Sequence, residues 1–440
     1  MTPESFQQII AGFTGAYKGL RLYPALHPTI RRQLESLLHY LTTHLEQRQM
    51  LKMGLLEETL FVDDHLFAVQ TPAIETLAQL LQHLQVEALE FHRGLDETEL
   101  LTFLQLLCDA DLDSANLEKV LTEHNIQHIR PADSTTDEEQ EPRKVYGRAM
   151  TVVNEIFEDV RMGRIPSSEK AKHVVKDMAK LTLSDPHALF ALSMLKSYDN
   201  YTFTHSVNVS VIALSIGRAC GLTEEKLRTL GLGGLLHDIG KLKIDLAIIN
   251  KPGRLSEQEF AQIMHHPRLG AEIVQDTAGM PPAAVDIVLG HHLRYDRQGY
   301  PADAQLHGST EMVNMAAIAD TYDAITTLRA YQKPVTPRQA IAKMQEVSGT
   351  MLHPDYLQAF ITSLGTYPVG SLVRLANNEI GLVTRVDTDD PDTMELKILF
   401  NGDGQRLQDP MPHRLNSSEK HLVVAEVDAF MKGINPVDYF

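Results

Sequence analysis

Apolar residues recur along this chain with a helical spacing in some stretches and with a strand spacing in others. Residues 5–49 place apolar side chains at about every 3.6 positions, which predicts amphipathic helices. Residues 51–69, LKMGLLEETLFVDDHLFAV, predict a hairpin with Asp63 and Asp64 at its turn. These elements predict an α+β domain over residues 1–130. That domain also contains two predicted helices and one predicted strand, near residues 73–84, 96–108 and 86–91.

Beyond residue 130 the pattern changes. The acidic stretch PADSTTDEEQEPRK predicts a linker over residues 131–145, because it can bury too little apolar surface to offset its ordering entropy. Residues 146–365 are predicted to be almost continuously helical, with a capping-box pattern at Ser256 and Glu259. Over residues 366–440, apolar runs around Asn-rich and Asn-Gly turns predict a small β-rich region, a sheet or a barrel. The predicted fold is multidomain and mainly α.

The composition is that of a globular protein. The composition, 43% hydrophobic and 22% charged, is typical of folded globular proteins. The length of 440 residues exceeds what one hydrophobic core usually supports, so we expect two or three domains. The formal net charge of −18 argues against general nucleic-acid binding, because phosphate backbones need a basic surface. Cys108 and Cys220 are the only cysteines, so the sequence supports neither a disulfide framework nor a cysteine-based metal site. This composition fits a reducing cytoplasm. The N-terminus lacks a leader pattern and no 18-residue apolar run occurs, so we expect a cytoplasmic protein without membrane insertion.

Residues of metal-ligating types recur in the helical segment at intervals of one helix plus a connection. The intervals are 32, 28, 25 and 28 residues, a spacing that lets each helix bring one ligand or ligand pair to a common point. The sequence neighbours of Asp320 are small and apolar, which suggests that its carboxylate is buried. A buried carboxylate needs a positively charged or hydrogen-bonding partner. One His-Asp pair alone is compatible with chance or with a histidine at a helix C-terminus. The whole set indicates metal: His205, His237, Asp238, His266, His291, His292 and Asp320.

The ligand types narrow the choice of metal. Five imidazoles and two carboxylates are too many for one tetrahedral zinc and fit two octahedral ions bridged by a carboxylate. Nitrogen and oxygen ligands without thiolate favour iron or manganese, with magnesium or nickel possible and zinc less suited. Two bridged ions activate water and bind phosphate oxygens. The expected cofactors are therefore two divalent metal ions, and the expected chemistry is phosphoryl hydrolysis.

Several motifs in fixed order resemble the HD-GYP family of cyclic-di-GMP phosphodiesterases, within the HD superfamily of metal-dependent phosphohydrolases. The resemblance covers residues 146–365 and implies an all-α helical bundle of the HD type. The motifs are YTFTHSVNVS at 201–210, HDIGK at 237–241, KPGRLSEQEF at 251–260, HHPRLGAEI at 265–273, GHHLRYDRQGYP at 290–301 and IADTYDAITTLRAY at 318–331.

The resemblance implies roles for the matched residues. The seven ligand-type residues would bind metal, with Asp238 bridging the ions, and His237, Asp238 and Lys241 would be catalytic. Lys241 and Arg329 would reach the substrate phosphate and Tyr300 would contact the nucleotide, and such cations give an acidic protein a local positive field. Without the resemblance, Lys241 and Arg329 are better explained as solvated surface cations. The expected substrate-binding residues are Lys241, Arg294, Tyr300 and Arg329.

This chain departs from the family pattern at several positions. Leu293 replaces a glutamate expected to support the ligands, and Arg297 replaces a glycine. Losing a group that supports a ligand typically weakens metal affinity or activity about 10- to 100-fold without abolishing the site. Ala330 replaces a proline after Arg329. Asn200 or Tyr201 stands where some members have a glutamate associated with a third metal, which predicts two metals per chain.

We therefore expect a metal-dependent phosphodiesterase that hydrolyses cyclic-di-GMP to pGpG, with GMP as an optional further product, in bacterial second-messenger signalling. Two alternatives stay open. The first is a catalytically lapsed sensor that binds cyclic-di-GMP or a partner protein, and the second is an HD hydrolase acting on another nucleotide. LRLYPALHP at 20–28 resembles the start of N-terminal domains found on some family members. Residues 1–130 are thus expected to be regulatory, through a homodimer or a protein partner.

Overall fold

The structure is a computed structural model of the chain, and it divides into two compact units, residues 1–151 and 152–440. Helices predominate, and each unit carries one antiparallel sheet, so the predicted fold class is confirmed. The structure describes residues 3–56, 59–63, 65–67, 71–84, 86–108, 112, 114–132, 137–194, 201–249, 251, 253–302, 304, 311–327, 335–387, 389–427, 432–434 and 439. Within these ranges no helix combines the length and the apolar character needed to cross a membrane.

In the first unit, helices pack with an antiparallel sheet of strand order β3-β2-β1-β4-β5. Its core contains the rings of Phe13, Phe91 and Phe103, whose centroids lie 6.2 to 6.4 Å apart. The helices are α1 (Pro3–Leu20), α2 (Pro28–Gln47), α3 (Pro72–Leu84), α4 (Glu97–Leu106) and α5 (Ser114–Glu123). The strands are β1 (Met50–Leu56), β2 (Thr59–Val62), β3 (His65–Phe67), β4 (Ala88–His92) and β5 (Ile129–Ala132).

The prediction of one hairpin over residues 51–69 is wrong in the number of strands. This segment contributes three strands, because β1 pairs with β2 and β2 pairs with β3, both antiparallel. The polar pair Glu57-Glu58 lies between β1 and β2 in the sequence and outside the described residues. Asp63 follows β2 with φ of 51°, as its place in the predicted turn requires, whereas Asp64 lies outside the described residues.

The predicted linker over residues 131–145 is wrong at both ends. Residues 131 and 132 belong to β5, and α6 (Asp137–Arg161) begins inside the acidic segment. The physical reason lies further along α6, where Val145, Tyr146 and Ala149 are buried and stabilise a helix that extends back through the acidic residues. The division between the compact units falls within α6, after Thr151. The domain limits 1–130, 146–365 and 366–440 stay predictions.

The second unit contains a helical bundle whose apolar core draws on helices far apart in the sequence. The rings of Phe190, Tyr322 and Phe360 contact one another there in tilted or edge-to-face arrangements, with centroids 5.3 to 6.2 Å apart. The capping box predicted at Ser256 and Glu259 is present. The helices are α7 (Ser168–Ser184), α8 (Ala188–Ser193), α9 (Tyr201–Ala219), α10 (Glu224–Leu236), α11 (Leu246–Ile249), α12 (Glu257–Ile263), α13 (His266–Asp276), α14 (Pro282–Gly290), α15 (Glu311–Thr326), α16 (Pro337–Glu346) and α17 (Pro354–Leu364).

The predicted C-terminal β region is an antiparallel sheet of order β10-β6-β7-β8-β9. It packs against the helical bundle of the same unit, since Ala191 of α8 lies in the core of the sheet. Thr336, the N-cap of α16, donates a hydrogen bond of 2.7 Å to Glu426. The strands are β6 (Leu372–Leu375), β7 (Ile380–Val386), β8 (Met394–Phe400), β9 (Arg406–Leu415) and β10 (Val423–Val427).

Candidate metal centre

The predicted ligands lie on different helices of the bundle, mostly where a helix begins or ends. His205 lies in α9 and Asp320 in α15, whereas the others lie at the ends of α10, α13 and α14. Gly240 is essential to this convergence, because a Cβ there would lie 2.0 Å from the carbonyl oxygen of His266. Only glycine lets the 3-10 helix Ile239–Lys243, which follows Asp238, approach α13 this closely.

One group of ligands surrounds the Oδ2 atom of Asp238. The Nε2 atoms of His205 and His237 lie 3.5 and 3.4 Å from this oxygen. They lie 3.2 Å from each other. Asp320 joins the group, because its Oδ1 lies 3.2 Å from His205 Nε2 and 3.9 Å from His237 Nε2. These four side chains can surround one ion.

A second group surrounds the Oδ1 atom of Asp238. His266 Nε2 lies 3.3 Å and His291 Nε2 lies 3.9 Å from this oxygen, and the two nitrogens are 3.1 Å apart. His292 completes the group, since its ligand atom lies within 4.8 Å of those of His266 and His291. The single carboxylate of Asp238 therefore presents one oxygen to each group, which is the geometry of a bridging ligand.

Four histidines, His205, His237, His266 and His291, are oriented with their Nε2 atoms toward the centre. A carbonyl or carboxylate oxygen accepts a hydrogen bond from the Nδ1 atom, so Nδ1 carries the proton and Nε2 is left as a metal ligand. Without a cation or proton, the lone pairs of paired Nε2 atoms about 3 Å apart would repel each other. The Nδ1 distances are 2.8 Å for His237 to Gly234, 2.7 Å for His266 to Ile263, 2.8 Å for His291 to Val288 and 2.7 Å for His205 to Asp323.

A further observation indicates that cations fit between these groups. Asp238 Oδ1 is buried and accepts no hydrogen bond from the described part of the chain. An ionised oxygen in that position needs a positive partner to offset its lost hydration. The donor set, nitrogen and carboxylate oxygen without sulfur, is one that divalent transition metals accept. The predicted ligand residues therefore fit metal ions.

The electrostatics favour the ligand states that metals require. Burial lowers the pKa of His292 to about 4, and burial together with the charge of His292 lowers the pKa of His291 well below its ordinary value. For Asp238, burial alone would raise the pKa, but Lys241 and His237 hold it well below the usual range. Burial likewise opposes ionisation of Asp320, but a hydrogen bond from His205 lowers its pKa. Neutral imidazoles and ionised carboxylates are ready to bind metal.

His205 differs from the other imidazoles. Burial lowers the pKa of its ring, but hydrogen bonds to Asp320 and Asp323 outweigh burial and raise that pKa well above its ordinary value. These two carboxylates therefore favour the protonated form of the His205 ring when no metal is bound. Metal binding at this group releases that proton.

The centre is open on one side. The side chains of His205, His237 and Asp238 are at most 4% exposed, whereas those of His292 and Lys241 are 26% and 27% exposed. Lys241 Nζ donates a hydrogen bond of 2.6 Å to Asp238 Oδ2. Among the described residues of the centre, the side lined by His292, Lys241 and the partly exposed Asp320 is therefore accessible to a substrate.

The remaining predicted substrate residues differ in their placement. The ring of Tyr300 lies against the ring of His292, with centroids 4.6 Å apart. Arg294 instead donates a hydrogen bond of 2.6 Å to Asp296 and makes no contact with the metal ligands among the described contacts. Arg329 lies outside the described residues, as does Asn200. Lys241 and Tyr300 are thus the predicted substrate residues that the structure brings to the centre.

The loop from His291 to Pro301 shows how this chain accommodates its departures from the family pattern. Gly299 has φ of 100°, and a Cβ there would lie 2.3 Å from the carbonyl oxygen of His292, so the loop requires glycine. Arg297, where the family has glycine, adopts φ of 65°, a conformation that costs a residue with a Cβ about 1 kcal/mol. Leu293 is buried, so its side chain packs where the family has a carboxylate.

Asp323 and Asn208 complete the site, and the sequence argument missed both. Asp323 Oδ2 accepts the Nδ1 proton of His205 at 2.7 Å, and its Oδ1 accepts a hydrogen bond of 3.0 Å from Asn208. A signal was present, because Asp323 lies three residues after Asp320 and Asn208 three residues after His205. Such spacing puts each pair on one face of its helix. Asp323 fixes the orientation of His205.

Comparisons with known proteins show which family and which relatives this chain is similar to. The HD domain family matches residues 173–355. A cyclic di-GMP phosphodiesterase of Pseudomonas aeruginosa is 36% identical over 61% of this chain and 64% of its own length. A cyclic di-GMP phosphodiesterase of Thermotoga maritima is 27% identical over 47% of this chain and 58% of its own. A 3'3'-cGAMP-specific phosphodiesterase of Vibrio cholerae is 30% identical over 41% of this chain and 42% of its own.

The chain thus spans less than two thirds of the length of these relatives. The matched HD domain runs through all the clustered ligands, from His205 to Asp320, and includes the loop Gly299-Tyr300-Pro301. That loop and the paired His291-His292 before it are among the motifs that resemble the HD-GYP proteins. Residues 173–355 of this chain therefore match the HD domain family, and the chain is similar to cyclic di-GMP phosphodiesterases.

Proposed function

We propose that this protein is a metal-dependent phosphodiesterase that hydrolyses cyclic-di-GMP to pGpG. The observation that carries the proposal is the Asp238 carboxylate, which presents Oδ2 to His205 and His237 and Oδ1 to His266 and His291. A centre that would hold two cations, and that is partly exposed at His292 and Lys241, suits hydrolysis of phosphate esters. Relatives named cyclic di-GMP phosphodiesterases support the choice of substrate.

Two divalent metal ions would occupy this centre. When bound, they supply positive charge that polarises the phosphate and an activated water that attacks it. Iron or manganese suits the nitrogen and oxygen donors best, magnesium or nickel is an alternative, and zinc is less suited. The first ion would be held by His205, His237, Asp238 and Asp320, and the second by Asp238, His266, His291 and His292.

Side chains on the open face would bind the substrate. The ammonium of Lys241 can donate hydrogen bonds to a phosphate oxygen, and it offsets part of the negative charge of Asp238 and the diester. Burial, with the nearby charge of Asp320, raises the pKa of the Tyr300 phenol, which therefore stays protonated and can donate a hydrogen bond. Arg329 and Arg294 remain proposed substrate contacts on the basis of the family resemblance.

Specific observations favour each of two alternatives. The replacement residues Leu293 and Arg297 favour a catalytically lapsed sensor that binds cyclic-di-GMP or a protein. The 3'3'-cGAMP-specific relative favours hydrolysis of another nucleotide. The clustering of all seven predicted ligands supports a working enzyme over a lapsed one. The same proposal includes a cytoplasmic location and a role in second-messenger signalling. It also includes a homodimer or a protein partner that is bound through residues 1–130.

The experiment that tests this function combines metal analysis with product analysis. We expect protein purified without chelator to hold two metal ions per chain and to convert cyclic-di-GMP to pGpG before any GMP forms. Asn200 offers only a neutral amide where a third hard cation would need a carboxylate. Elemental analysis counts the ions, and chromatography over time follows both products. Binding of cyclic-di-GMP without turnover would favour the sensor, and three ions or GMP without a lag would contradict the two-metal centre.

Lys241→Ala is expected to lower kcat/KM for cyclic-di-GMP by about 10- to 100-fold while both metal ions remain bound. The reason is the loss of one charge-assisted hydrogen bond to the substrate phosphate. Arg329→Ala should act in the same way. Lys243→Ala, an exposed lysine two residues further on, is the control and should retain full activity. If Lys241→Ala lost metal, Lys241 would act by holding Asp238, and unchanged kinetics would place it on the solvated surface.

A further inference from the structure

Phe260 is a large aromatic residue left exposed beside the open face of the metal centre. Its side chain is 47% exposed on α12, a helix in which no residue is fully buried. Its ring lies 6.4 Å from the ring of Tyr300 in an edge-to-face contact. Tyr300 in turn lies 4.6 Å from the ring of His292. Three rings thus lead from a metal ligand outward to solvent.

The position of Phe260 is fixed by its surroundings. Ser256 caps α12 and Glu259 closes the capping box, so the turn that carries Phe260 is ordered. Lys251 adds two hydrogen bonds of 2.7 Å to the carboxylate of Glu259. Because the Phe260 side chain is largely exposed and α12 has no fully buried residue, this ring contributes little to the apolar core. Ligand binding would explain why an aromatic side chain is exposed at this position.

We propose that Phe260 is a substrate-binding residue that stacks with a base of the cyclic dinucleotide, an inference that rests on the proposed function. A phosphate held at the open face, beside His292 and Lys241, leaves the attached nucleoside to extend over Tyr300 toward Phe260. Aromatic rings bind bases by stacking, and every base has a face that can stack. Phe260 therefore strengthens binding of cyclic dinucleotides as a class and does not distinguish guanine from adenine.

The test compares Phe260→Ala with Phe260→Trp on two kinds of substrate. Phe260→Ala should raise KM for cyclic-di-GMP about tenfold to a hundredfold with kcat within about twofold, and Phe260→Trp should restore KM. The same rise should appear with 3'3'-cGAMP and with cyclic-di-AMP if the enzyme hydrolyses them. Methyl p-nitrophenyl phosphate, a diester without a base, should be hydrolysed equally by all variants. Met411→Ala, an exposed apolar residue of the C-terminal sheet, is the matched control.

Each outcome of this experiment decides between explanations. An unchanged KM for cyclic-di-GMP in Phe260→Ala would overturn the stacking proposal. Equal losses on the dinucleotide and on methyl p-nitrophenyl phosphate would also overturn it, since Phe260 would then act by positioning Tyr300. If the wild-type protein hydrolysed the simple diester but no cyclic dinucleotide, the proposed function itself would be wrong and Phe260 would lose its assigned ligand.

Discussion

Asp238→Ala is expected to remove both metal ions and to reduce hydrolysis of cyclic-di-GMP to the level of the metal-free protein. The reason is that one carboxylate serves both histidine groups, with Oδ2 at 3.4 to 3.5 Å from His205 and His237 and Oδ1 at 3.3 Å from His266. Without that negative charge, only the carboxylate of Asp320 among the proposed ligands would offset the charge and mutual repulsion of two cations. Elemental analysis and turnover measure the two losses on one preparation.

The chain should stay folded in this variant, because apolar helix packing and not the metal centre forms the core of the unit. Circular dichroism with thermal unfolding checks this point. Asp276→Ala removes an exposed aspartate at the end of α13 and should keep both ions and full turnover. Loss of a single ion from Asp238→Ala would mean two separate mononuclear sites, and full metal content with full turnover would rule out the bridging role.

Asp323→Ala is expected to weaken binding of the ion on the His205 side by about 10- to 100-fold, with a matching loss of activity at limiting metal. Asp323 is buried, accepts the Nδ1 proton of His205 at 2.7 Å and accepts a hydrogen bond of 3.0 Å from Asn208. Its removal takes away the buried acceptor of both hydrogen bonds, which should also lower the free energy of unfolding by about 2 kcal/mol. Metal titration followed by activity, and denaturant unfolding, measure these effects.

Asp323→Asn separates the two effects. The amide keeps the volume and can still accept one hydrogen bond from His205 through its oxygen, so stability should recover more than metal affinity. Adding excess metal should restore turnover in both variants, because Asp323 does not ligate the ion and only orients its ligand. If metal affinity of Asp323→Ala matched that of the wild type, the Asp323 contact would have a purely structural role.

Much of this protein could be predicted from local features of its sequence. Helix period and capping residues predict helices near their observed places, as at Ser256. The choice of the seven proposed ligands rests on residue type and helix-length intervals, because a bundle brings one face of each helix inward. The acidic linker failed as a prediction because a helix is stabilised by apolar contacts beyond the segment itself, at Val145 and Tyr146.

Only the tertiary structure decided how the ligands are divided and oriented. Which oxygen of Asp238 faces which histidines depends on the packing of α9, α10, α13 and α14 around one point. The contact of His205 with Asp323 joins residues 118 positions apart, so it forms only where α9 packs beside α15. The open face, with Lys241, Tyr300 and Phe260 beside it, is likewise a result of packing. Residue types determined which chemistry is available, and because side-chain directions depend on helix packing, the tertiary structure determined where that chemistry can act.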